Sequence, residues 1–190
     1  MTVTRTTQSS VRIIGGTWRG RKLPVAPVEG LRPTGDRIRE TLFNWLMPSI
    51  GGANCLDLFA GTGALALEAI SRGADTSLLI DSSAAVCRQL QQNITMLKTS
   101  QAQVTQADTV QWLSHHRDQL RQFNIIFIDP PFGLNAWDKV MALLAPHLVE
   151  ETLIYIESPK NQLLSIPERW HVLREKSAGS VAYRLLQSTV

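Results

Sequence analysis

The stretch Leu56-Asp57-Leu58-Phe59-Ala60-Gly61-Thr62-Gly63-Ala64-Leu65 decides the fold. It leads from an apolar, strand-like segment through two closely spaced glycines into a helical pattern. In an open α/β sheet, ligands bind where such a strand hands over to its helix. Gly61 and Gly63 let the backbone turn sharply and approach a ligand closely. Gly61 through Ala66 also fits G-x-G-x-x-A, so the glycines alone leave nicotinamide dinucleotides and S-adenosylmethionine both open.

Asp57 tips the balance. A carboxylate just ahead of the first glycine repels a diphosphate and attracts a sulfonium ligand that carries an α-ammonium group. Further along, Asp81 closes a second apolar run and is placed to accept hydrogen bonds from two ribose hydroxyls. Asp108 follows a third run, where it either accepts from an adenine amine or caps the next helix. Phe59 lies inside the loop and completes the candidate cofactor contacts: Asp57, Phe59, Gly61, Gly63, Asp81 and Asp108.

Outward from this loop the chain alternates strand and helix patterns. Strands are expected at 55–60, 77–81, 103–107, 125–129 and 152–158, with helices over 63–71, 82–98, 109–120 and 136–148. Short apolar strands joined by helical crossovers imply a parallel sheet covered on both faces. The end differs: 171–176 and 180–187, around Ser177-Ala178-Gly179, read as an antiparallel hairpin closing one edge. Upstream, 11–14 and 21–25 flank GGTWRG as a small hairpin. A Pro- and Gly-rich loop then leads to a helix over 36–47, stopped by Pro48. The expected organisation is a disordered tail over 1–10, a basic extension over 11–48 and one catalytic domain over 49–190.

The fourth expected strand ends in Ile128-Asp129-Pro130-Pro131-Phe132. An exocyclic base amine is a poor nucleophile because its lone pair is delocalised into the ring. Two acceptors aimed at its hydrogens, the Asp129 carboxylate and the Pro130 carbonyl, favour a pyramidal nitrogen. Pro130 and Pro131 fix the carbonyl's direction and bring no competing N–H. Phe132 can stack on a flipped or splayed base. Asp129, Pro130, Pro131 and Phe132 are therefore the catalytic candidates, and this chemistry requires no metal.

The chain has 190 residues, 44% hydrophobic and 18% charged, which suits one well-buried core. No apolar run approaches the length needed to span a bilayer, and the polar start has no signal-peptide core. The two cysteines, Cys55 and Cys87, suggest neither a disulfide framework nor a metal site. These features imply a soluble cytoplasmic protein, expected as a monomer. The net charge of +3 is uneven: residues 1–44 hold eight Lys/Arg against three acids. A basic end on a nearly neutral body suggests an anionic partner. Trp18, Arg19, Arg21 and Lys22 sit in the expected turn, with Arg32, Arg37 and Arg39 after the loop, a set suited to phosphates and unstacked bases. Trp18 fits equally well as a lid over the core. Trp45, Trp112 and Trp170 read as packing residues, Trp137 as either packing or site, and His115-His116 as a solvated polar cap.

Together VRIIGGTWRGRKLP, LRPTGDRIRETLFNWL, LDLFAGTGAL, IDPPF and the terminal GSVAYRLL resemble the bacterial RsmD-type small-subunit (16S) ribosomal RNA guanine-N2 methyltransferases over residues 11–187. The resemblance implies a Rossmann-like seven-stranded methyltransferase sheet, S-adenosylmethionine, and a guanine N2 target in ribosomal RNA or the small ribosomal subunit. It carries cofactor roles onto Asp57, Gly61, Gly63, Asp81 and Asp108, and amine activation onto Asp129, Pro130, Pro131 and Phe132. The chain departs from the family at Ser83, where such proteins often place a second acid two positions after the ribose-binding one. Rival readings are a DNA adenine or cytosine amino-methyltransferase, for which the chain has little room for a duplex-reading domain, and an NAD-dependent oxidoreductase, which leaves IDPPF unexplained. A protein-glutamine methyltransferase would more naturally carry Asn at position 129, and a non-catalytic RNA-binding module ignores both motifs.

Overall fold

The computed structural model describes residues 9–28 and 35–189. The expected tail lies almost wholly outside these residues, as does Arg32. Fourteen regular elements follow in order: β1 (Ser10–Arg12), β2 (Lys22–Pro24), α1 (Asp36–Leu46), β3 (Asn54–Asp57), α2 (Ala64–Ser71), β4 (Thr76–Asp81), α3 (Ala84–Leu97), β5 (Ala102–Gln106), α4 (Thr109–His115), β6 (Ile125–Ile128), α5 (Trp137–Leu144), β7 (Leu153–Pro159), β8 (Trp170–Ala178) and β9 (Val181–Ser188). Seven strands form one sheet in the order β5-β4-β3-β6-β7-β9-β8, and β1 pairs with β2 in a separate antiparallel ribbon. The first five strands of that order run parallel, while β9 is antiparallel to both β7 and β8. Helical crossovers between parallel strands and a terminal hairpin at one edge agree with the alternation in the sequence.

Period-2 alternation sorts the strand residues onto two faces. Leu56, Ile126, Ile128, Ile154 and Ile156 pack with Trp112, Leu113, Val140, Met141 and Leu144 from α4 and α5. Their neighbours Cys55, Ile125, Phe127, Leu153 and Tyr155 point the other way, against Ile38, Leu42, Phe43 and Leu46 of α1 and Leu65 and Ala69 of α2. Burial on both faces explains why β6 reads Ile-Ile-Phe-Ile without a polar residue. It also pushes the Cys55 thiol up to about 12, which leaves it inert as a nucleophile. The small ribbon adds a further layer: Val11, Ile13, Leu23 and Val25 cover Leu67, Ile70, Leu90 and Ile94 of α2 and α3.

Two helices are shorter than their patterns. The helix expected over 109–120 stops at His115, and a 3-10 turn over Arg117–Gln122 continues in its place, keeping Leu120 buried. The helix expected over 136–148 ends at Leu144, with a 3-10 turn over Ala145–His147. Pro146 has no N–H for the next helical bond and disfavours the α conformation before it. No described helix is long and apolar enough to cross a membrane.

Candidate active site

In the strand order, β4 lies on one side of β3 and β6 on the other, so the connections diverge at β3 and β6. A crevice opens above the strand ends at such a reversal. The glycine loop leaves the sheet there from β3, and Asp129 to Phe132 leaves it from β6. The glycine loop stays tied to the strands on either side of β3: Leu58 donates to the Phe127 carbonyl (3.2 Å) and Ala60 to that of Ile80 (2.9 Å).

Asp57 ends β3 and is 2% exposed. Burial, then the nearby charge of Asp129, push its carboxyl up to about 7. Asp81 adds to that rise, while N–H groups of Phe59 and Ala66 oppose it. Its Oδ1 is buried with no hydrogen-bond partner. A buried acceptor without a donor is costly, and a cationic ligand group beside it relieves that cost. The glycines meet the demands of the turn and of helix packing. Gly61 and Gly63 have φ of 50° and 75°, in the left-handed region. A Cβ on Gly63 would meet Leu90 Cδ2 at 2.6 Å. The buried, unpartnered Asp57 carboxyl suits a ligand that carries a positive charge, as S-adenosylmethionine does.

Asp81 ends β4 and braces the loop, its Oδ2 accepting from the Gly61 N–H (2.9 Å) and its Oδ1 from that of Ser83 (2.8 Å). Ser83, the residue that departs from the family pattern, caps α3. Asp108 takes the capping role that the sequence left open: its Oδ1 accepts from the Gln111 N–H (2.9 Å) at the start of α4. The next residue, Thr109, donates its hydroxyl to the Leu58 carbonyl and ties α4 to the glycine loop.

Asp129 is half-buried, Pro130 buried and Pro131 exposed. The Leu134 N–H donates to the Pro131 carbonyl (2.8 Å), which closes a 3-10 turn over Phe132–Leu134. Phe132 is exposed, with the Trp137 ring 6.0 Å behind it between centroids. Trp137 itself is buried, and its Nε1–H donates to the Glu157 carbonyl (2.7 Å). It is a packing residue that props the loop. Trp112 and Trp170 are buried and Trp45 stacks on Tyr183, which agrees with packing roles for all three.

The basic segment differs most from its sequence reading. Arg39, grouped there with the RNA contacts, is 0% exposed. Its guanidinium pairs with Asp36 (2.6 Å) and Glu68 (3.5 Å) and donates to the Arg12 carbonyl (2.9 Å), so it is a structural cation that reaches no outside phosphate. Glu68, which the sequence reading missed, also accepts from the N–H groups of Ile14 (2.7 Å) and Gly15 (2.8 Å) and from Arg72 Nε (2.7 Å). Its signal was present as a lone carboxylate in the apolar helix ALALEAIS. This clasp fastens the β1–β2 ribbon to α2. The connecting turn follows α2 to its far end, where the N–H groups of Thr17 and Trp18 donate to the Ser71 carbonyl (2.7 Å) and Oγ (2.9 Å). A Cβ on Gly16 would run into that carbonyl. Trp18 is a half-buried lid, while Arg19, Arg21, Lys22 and Arg37 are exposed. The basic turn thus sits about 12 Å along α2 from the glycine loop, at 1.5 Å per residue.

A seven-stranded sheet with an antiparallel edge, a glycine loop backed by acidic strand ends, and Asp-Pro-Pro-Phe beside it define an S-adenosylmethionine-dependent methyltransferase. The family described as "Conserved hypothetical protein 95" matches residues 11–187. The chain belongs to this family, that of the RsmD-type methyltransferases. It is 46% identical over 185 residues to the Ribosomal RNA small subunit methyltransferase D of Haemophilus influenzae, covering 95% of each chain. It is 49% identical over 180 residues to the protein of the same name in Escherichia coli K12, covering 93% of this chain and 89% of that one. The solved structure of the Escherichia coli yhhF protein superposes with a TM-score of 0.85 at 48% identity, over 95% of this chain and 98% of the other.

Proposed function

We propose that this chain transfers the methyl group of S-adenosylmethionine to the exocyclic N2 amine of a guanine in small-subunit ribosomal RNA. The observation that carries the reading is the shared acidic crevice: Asp57 at the end of β3 feels both Asp81 of the glycine loop's brace and Asp129 of the amine loop. The names of the two relatives support ribosomal RNA as the substrate.

S-adenosylmethionine supplies a methyl group on a positively charged sulfur that leaves as a neutral thioether. Asp57 would hold the methionyl ammonium, Asp81 the ribose hydroxyls, and the backbone of the Gly61 and Gly63 loop the methionyl segment. The guanine amine donates one hydrogen to the Asp129 carboxylate and one to the Pro130 carbonyl. Its nitrogen lone pair is thereby localised and aimed at the methyl carbon. As the N–C bond forms, positive charge builds on that nitrogen, and Asp129 stabilises it. The methylated amine then sheds one proton, which Asp129 passes to water. Phe132 stacks on the base and holds its plane. Arg19, Arg21, Lys22 and Arg37 contact phosphates of RNA extending along the α1–α2 flank.

The test is methylation in vitro of small-subunit RNA, free and in subunits, from a strain lacking the gene. Nucleoside mass spectrometry should find one N2-methylguanosine. Incorporation into adenine, cytosine or protein would overturn the reading.

A further inference from the structure

We infer that the loops after β6 and β7 form one rim that holds unpaired RNA bases beside the amine site, distinct from the phosphate-contacting turn on α2. The inference rests on the reading of the chain as a ribosomal RNA methyltransferase. β6 and β7 are parallel neighbours, with Ile128 opposite Ile156, so both loops leave the same end of the sheet. The β7 loop is tied to the first turn of α5, directly after the β6 loop, since the Ser165 N–H and hydroxyl donate to the Asp138 carboxylate (2.9 and 3.2 Å). The β7 loop is also seated on the turn between β8 and β9, where the Lys160 N–H donates to the Ser180 carbonyl (2.7 Å).

On these braced loops stand side chains that the fold does not use. Leu163 is 90% exposed and Leu134 60%, alongside the exposed Phe132. Exposed apolar side chains on loops at the edge of a catalytic crevice mark a binding surface. Their company selects the partner. Between Pro130 and Trp137, and between Pro159 and Pro167, the sole charged residue is Lys160, and Asn135 and Asn161 are exposed. A phosphate-tracking groove needs several cations, and the Asp129 carboxylate at the root of this rim repels phosphate. Apolar side chains against base faces, with carboxamides for base edges, suit unstacked bases instead. Leu134 shares a turn with Phe132, and the Ser165–Asp138 tie holds the Leu163 loop to the helix that follows that turn, so nucleotides flanking the flipped guanine lie on Leu134 and Leu163. Asn135 and Asn161 read their edges.

The test compares wild type with Leu134→Ala/Leu163→Ala and with Asn161→Ala. The probes are a 16S RNA fragment carrying the methylated guanine and a fully paired RNA of equal length, each across a salt series. Both variants should keep their melting temperature and S-adenosylmethionine affinity. The double variant should bind the fragment about tenfold more weakly, in the range expected for losing a base-stacking surface. It should bind the duplex unchanged, and its log–log salt slope should match wild type because no phosphate contact is lost. Wild-type affinity in both variants, equal weakening on both RNAs, or a flattened slope would each overturn the rim. Failure of the wild-type protein to methylate ribosomal RNA would instead remove the functional reading beneath it.

Discussion

Replacing Asp57 by Asn tests the link between burial, charge and cofactor binding. The carboxyl is 2% exposed and pushed up to about 7 by burial and the charge of Asp129, with Asp81 adding to it. A folded carboxyl held above its unfolded value stabilises at low pH and loses that contribution as pH rises toward 7. From 3.8 to about 7 the loss amounts to roughly 4 kcal/mol in the ligand-free protein, at about 1.4 kcal/mol per pH unit. Asn keeps the shape without the charge, so the ligand-free variant should melt higher than wild type at pH 8. Cofactor binding should show the opposite preference. An ammonium beside Asp57 favours the ionised form, so binding below pH 7 expels a proton. At pH 6 most of a proton should be released, and lowering pH from 7 to 5.5 should weaken affinity on the order of tenfold. The window lies below the ordinary range of an α-amino group, so the ligand keeps its own charge. Calorimetry at pH 5.5, 6 and 7, in buffers of different ionisation enthalpy, measures both quantities. Buffer-independent heats at pH 6, or an Asp57→Asn variant that binds as tightly as wild type with the same pH profile, would refute the ammonium contact.

Other expectations separate the parts of the site. Asp129→Ala should slow methyl transfer by on the order of 10²-fold or more in single-turnover kinetics, with S-adenosylmethionine affinity little changed. Glu68→Gln removes the buried carboxylate charge that faces Arg39 and Arg72 and should cost about 3–5 kcal/mol, read as a denaturant midpoint shift. The triple change of Arg19, Arg21 and Lys22 to Ala should flatten the salt dependence of RNA binding by about two log–log units, at roughly 0.7 per phosphate contact. Its cofactor affinity should remain at wild type.

The sequence by itself determined the sheet, the helices that cover it and the two loops at its centre. Each of these is a local property. Period-2 and helical apolar spacing decides which face is buried, a left-handed turn demands glycine at 61 and 63, and paired prolines fix the chain after Asp129. The edge hairpin at 170–188 was legible for the same reason. Tertiary structure alone decided which charges are free. Arg39 and Glu68 stand 29 residues apart, and no spacing rule joins an arginine in a polar-looking helix to a carboxylate in an apolar one. The same holds for Asp57, whose burial and elevated carboxyl arise because β4 and β6 bring Asp81 and Asp129 up on either side of β3. Periodicity reports how a residue faces its own element. The solvation and pairing of a charge depend on every element packed around it, and so the basic turn's place at the far end of α2 and the grouping of the β6 and β7 loops emerged only once the chain was folded.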